Sequence, residues 1–62
     1  MNGYYDPTPD TISMMAKMPD ELIKYCTSEA VKMYRKFPDD GTYSEWLEAI
    51  TSDELWKLEH KT

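Results

Sequence analysis

The sequence contains one cysteine, Cys26, so no disulfide can form within the chain. It contains one histidine, His60, two residues from the C-terminus. Zinc takes about four Cys, His or carboxylate ligands at suitable spacing, and one Cys with one His supplies no such set. Two glycines, Gly3 and Gly41, are too few for a loop that cradles phosphate. No apolar run approaches the roughly 18 residues of a membrane span. Residues 1–10 carry neither a basic residue nor an apolar stretch, so they do not match a secretory signal. Basic residues are also scarce: seven Lys and Arg against twelve Asp and Glu give a net charge of −5, which opposes adventitious binding to nucleic acid or anionic lipid.

What is present is enough for one small folded domain. Of the 62 residues, 40% are hydrophobic, too many for a disordered tail. A domain of this size buries only about 60% of the surface its unfolded chain exposes. With no disulfide or metal to help, a partner or self-association is a reasonable source of further stability. The free cysteine and the lack of an export signal predict a cytoplasmic location. Opening on Met1 with no tag, the chain reads as a complete small gene product.

Residues 1–8 read as an extended N-terminal arm, interrupted by Gly3 and Pro7 and bearing Tyr4 and Tyr5; residues 9–62 read as a single helical domain. Thr8 as cap, Pro9 in the first position and Asp10 at the positive dipole end predict a first short helix, with Ile12, Met15 and Met18 on its inner face. Pro19 ends that helix and sits in the first turn of the next. There Leu22, Ile23, Cys26, Ala30, Met33, Tyr34 and Phe37 fall in one stripe about 120° wide. Lys24, Lys32, Arg35 and Lys36 lie opposite, and Pro38 with Asp39-Asp40-Gly41 makes a turn. In the last third, Trp46 and Ile50 point one way on a helical wheel and Leu55 and Leu58 another. Two capping-box patterns, Thr42-Tyr43-Ser44-Glu45 and Thr51-Ser52-Asp53-Glu54, predict two helices there, about 43–50 and 52–60. The fold class expected is all-α: a small three- to four-helix bundle with an extended N-terminal arm. Its expected core is Ile12, Met15, Leu22, Cys26, Ala30, Met33, Phe37, Trp46, Leu47, Ile50, Leu55 and Leu58.

Charge is segregated along the chain. Residues 22–37 carry a balance of +3 and residues 38–62 a balance of −5. Antiparallel packing of these segments brings opposite charges together, a small contribution if the pairs are exposed.

The chemistry-bearing residues do not form a catalytic set. Cys26 lies in the apolar stripe, where a buried thiol is inert. His60 is placed to cap the last helix rather than to serve a nucleophile. Asp53 and Glu54 are neighbours in sequence and diverge on a helix. With Gly41 as the central glycine of a calcium loop, the first ligand position falls on Lys36 and the last on Leu47, so that motif fails. No enzyme activity, cofactor or metal site is expected.

Binding remains. The leading expectation is a non-enzymatic protein-binding module, an inhibitor, adaptor or small subunit acting on another protein or on a second copy of itself. Its candidate contact residues are Tyr4, Tyr5, Tyr25, Arg35 and Trp56, of types enriched at interfaces. The first alternative is an acidic decoy that imitates DNA to a nucleic-acid-binding protein, through Asp39, Asp40, Glu45, Glu48 and Glu59. The second is direct nucleic-acid binding through Lys24, Lys32, Arg35 and Lys36, which the surrounding acidity opposes. In size, acidity and lack of a catalytic set the chain resembles phage and plasmid regulators and inhibitors, an analogy of general make-up alone.

Overall fold

The structure, a computed structural model, describes residues 7–61. Tyr4, Tyr5 and most of the expected arm lie outside the described residues. The described residues are all-α, with three helices and no strand: α1 (Pro9–Met15), α2 (Asp20–Lys36) and α3 (Tyr43–Glu59).

Local chemistry sets the helix ends. The Thr8 hydroxyl accepts the Thr11 N–H at 3.2 Å, and Pro9 occupies the first turn of α1, where its missing N–H costs nothing. Pro19 precedes α2 as its extended N-cap rather than sitting inside the first turn, and its carbonyl accepts from Leu22 and Ile23. Asp20 and Glu21 stand at the positive end of α2, Arg35 and Lys36 at the negative end. After Phe37 the Asp40 N–H bonds back to the Phe37 carbonyl at 3.2 Å, so Pro38 and Asp39 form the centre of the turn. Gly41 follows at φ +146°. The first capping box is present: the Thr42 hydroxyl accepts from the Glu45 N–H, and the Glu45 carboxylate accepts from the Thr42 N–H at 2.8 Å.

The second capping box does not form, and the expected break near residue 51 is absent. Residues 43–59 are one helix, with Tyr43, Leu47, Thr51 and Leu55 buried at four-residue spacing. The true inner stripe has a threonine at its centre, so a search for apolar periodicity misses it. Trp46 and Ile50 border this stripe and are only partly buried.

The same effect corrects α1. Ile12, expected in the core, is 55% exposed, and Thr11 is fully buried in its place. The Thr11 hydroxyl lies 2.9 Å from the Thr8 hydroxyl, so burying it leaves no unmet hydrogen bond. Two further core expectations fail at helix ends. Phe37 caps α2 after helical geometry has ended (φ −128°, ψ 67°) and is exposed. Leu58 lies in the last turn of α3 and is also exposed.

Phe37 stacks on Trp46 at one end of the α2–α3 pair (ring centroids 5.9 Å apart), and Cys26 faces Thr51 further along. The two helices therefore run antiparallel. α1 packs on α3. The centre consists of small side chains, Cys26, Ala30, Thr11 and Thr51, with Leu47; Met18, Tyr43 and Leu55 close its ends. Small residues let helix axes approach closely. The ion pairs among the described residues, Lys32–Glu29, Lys57–Asp53 and Lys57–Glu54, each lie within one helix. The antiparallel arrangement thus rests on the buried stripe, not on the expected pairing of opposite charges between helices.

Candidate protein-binding surface

A groove of about 330 Å³ runs between α2 and α3. Its α2 wall is Tyr25, Glu29 and Met33, one helical turn apart; its α3 wall runs from Trp46 through Ala49 and Ile50 to Asp53, Glu54 and Lys57. Ile50 packs against the core and also lines the groove, whereas Met33 is partly buried and lines the groove without joining the residues packed on the core. The Trp46 indole N–H is buried with no acceptor among the described residues. Tyr25 is 48% exposed at the groove's edge. The Lys57 ammonium bonds Asp53 at 3.2 Å and Glu54 at 3.4 Å, and these bonds hold its pKa above the ordinary lysine value.

Of the residues expected at a partner surface, Tyr25 lines this groove. Arg35 is exposed on α2 outside its lining, and Trp56, 60% exposed, lies one turn beyond Asp53 on α3. Trp56 stacks on His60 with centroids 4.3 Å apart, and His60 Nδ1 donates to the Trp56 carbonyl at 2.9 Å. His60 is therefore engaged in ending α3. Tyr4 and Tyr5 lie outside the described residues. The sequence pattern places Met33, Trp46 and Ile50 wholly in the core. Trp46 and Ile50 stand beside the Tyr43–Leu47–Thr51–Leu55 stripe of α3, a signal for their partial exposure; Met33 lies inside the apolar stripe of α2, and no wheel position marks it.

The acidic residues are spread over three places. Glu45 and Glu48 line a second concavity of about 580 Å³ with Asp10 and Met14 of α1. Asp39 and Asp40 are exposed in the turn before α3, where Asp40 and Glu45 flank a small hollow beside Trp46. Glu59 is exposed at the far end of α3, fourteen residues from Glu45, or about 21 Å along the helix. Among the basic residues, Lys32 pairs with Glu29 at 3.4 Å and Lys36 lies 5.5 Å from the Phe37 ring centroid. Lys24 and Arg35 are exposed.

Burial pushes the Cys26 thiol pKa up; the neighbouring Thr51 hydroxyl partly offsets the rise, although it makes no hydrogen bond of ordinary geometry. Burial also raises the Tyr43 phenol. Such a thiol holds its proton at neutral pH and is a poor nucleophile. No three of the described His, Cys, Asp and Glu side chains are grouped to hold a metal ion. No described helix is long and apolar enough to cross a membrane. Comparison with family models, curated proteins and solved structures finds nothing similar to this chain.

Proposed function

We propose that this chain is a non-enzymatic protein-binding module, a small helical bundle acting as an inhibitor, adaptor or small subunit through the groove between α2 and α3. The observation that carries the reading is the apolar lining of that groove, Met33, Trp46 and Ile50, edged by the half-exposed Tyr25. Aromatic and methionine side chains in a partly desolvated hollow are the kind of anchor that dominates protein interfaces. The reading also places the chain in the cytoplasm, where Cys26 stays a free thiol.

A photocrosslinker tests it. p-Benzoylphenylalanine in place of Tyr25, in full-length chain within source cells, is expected to trap one stoichiometric protein. The same group in place of Ser13, exposed on α1 and outside the groove's lining, is expected to trap none. Adducts from position 13 with none from position 25 overturn the groove.

The acidic decoy is the second reading. Its support is the gathering of Glu45, Glu48 and Asp10 around one concavity. Its weakness is the distance of Glu59 from that group. DNA presents a charge per about 1.7 Å of axis, and a decoy needs a continuous acidic surface.

A further inference from the structure

We infer that the groove between α2 and α3 seats a basic, amphipathic helix of a partner protein; this rests on the protein-binding reading above and names the partner's chemistry. Two packed helices leave a furrow that a third helix fills by ridges-into-grooves contact. On the Glu45, Glu48 and Ser52 side of α3, α1 stands beside that helix. On the Trp46, Ile50 and Asp53 side, no further helix stands among the described residues. The molecule is 17 Å across in its thinnest direction, little more than two packed helices.

The groove's dimensions fit that occupant. From Trp46 to Lys57 it follows eleven residues of α3, about 16 Å or three helical turns. Ala49 is exposed on α3 where the groove's lining meets that of the acidic concavity, and a methyl there lets an incoming helix approach closely. An amphipathic helix presents apolar side chains at i, i+3, i+4 and i+7 over such a length, matching the apolar lining.

Charge decides the sign of the partner. The walls hold three carboxylates, Glu29, Asp53 and Glu54, against the ammonium of Lys57, which already serves two of them. Lys32 meets Glu29 from the same helix. The whole chain carries −5. Lysines or arginines flanking an apolar helical stripe complement these walls, whereas an acidic helix or nucleic acid is repelled. A second copy would bring its own acidic α3 against them.

Two synthetic peptides test the inference. Both are about four helical turns long with leucines at i, i+3, i+4 and i+7; one fills the other positions with lysine, its counterpart with glutamate. They are titrated into the full isotope-labelled chain and followed by amide shifts. The lysine peptide is expected to perturb Met33, Trp46 and Ile50 and to bind at least about tenfold more tightly than the glutamate peptide. Ala49→Arg should abolish that site, and Glu29→Gln with Asp53→Asn should weaken it severalfold, all with unchanged far-UV circular dichroism. Four outcomes overturn the inference: equal binding of both peptides; no binding; shifts centred on Asp10, Glu45 and Glu48; or self-association of the peptide-free chain through the groove. The two tests fail separately. A crosslinked partner at position 25 with no groove binding by the lysine peptide leaves the protein-binding reading standing and removes the basic helix. Adducts from position 13 alone remove the reading on which the inference rests.

Discussion

Thr51 is fully buried in the middle of α3, and its hydroxyl makes no hydrogen bond among the described residues. A buried polar group without a partner costs about 1–3 kcal/mol. Thr51→Val keeps the shape and the β-branch while removing the hydroxyl. It should stabilise the fold by about 1 kcal/mol, a melting-temperature rise of roughly 4–8 °C for a domain this small. A fall in melting temperature would show that the contact with the Cys26 thiol outweighs the missing hydrogen bond. The buried thiol and phenol set the alkaline limit of stability. Cys26 and Tyr43 both have raised pKa values in the fold, so above about pH 8.5 the unfolded chain loses protons that the folded chain keeps. The unfolded state then binds fewer protons, and stability falls as pH rises. Urea melts from pH 7 to 10 should show that fall, beginning with the thiol and continuing with the phenol. In Cys26→Ala the earlier part of the decline should be missing.

Helices are where the sequence reading was both most and least successful. Caps and prolines are local, and the starts of α1 and α3 followed from Thr8, Pro9 and the Thr42–Glu45 box. Thr42→Ala should cost about 1 kcal/mol in a thermal melt, the usual loss for an N-cap hydroxyl. Gly41→Ala should also destabilise, because φ +146° is strained for an L-residue and the added carbon would stand 3.2 Å from the capping Glu45 carboxylate. The continuity of α3 was not legible, since a second capping pattern at Thr51 agreed with an apparent conflict among Trp46, Ile50, Leu55 and Leu58. Ser52→Pro separates the two descriptions. In one continuous helix it should cost about 3 kcal/mol or more; were Ser52 the first residue of a new helix, proline there would be tolerated. The melt decides.

At the scale of the whole molecule, the antiparallel α2–α3 pair separates an apolar groove from an acidic concavity on the other side of α3. The triple variant Glu45→Gln, Glu48→Gln and Glu59→Gln tests the decoy, because it leaves the groove lining unchanged. On the groove reading, its affinity for a partner crosslinked at position 25 should stay within about threefold of the parent. A large loss, with a steep dependence on salt, would favour the decoy instead.

Capping, proline stereochemistry and a strong 3.6-residue period act within a few residues, so the helical class, most helix ends and the Leu22, Ile23, Cys26, Ala30 and Tyr34 part of the α2 stripe could be read from the sequence, while Met33 and Phe37 of that stripe could not. Tertiary structure alone decided which faces of α1 and α3 turn inward. It chose Thr11 over Ile12 and the Tyr43–Leu47–Thr51–Leu55 stripe over Trp46 and Leu58. Where the helices meet, small size outweighs hydrophobicity: Cys26, Ala30, Thr11 and Thr51 all have zero exposure. The larger residues left partly buried, Met33, Trp46 and Ile50, line the groove, whose existence depends on how two helices meet.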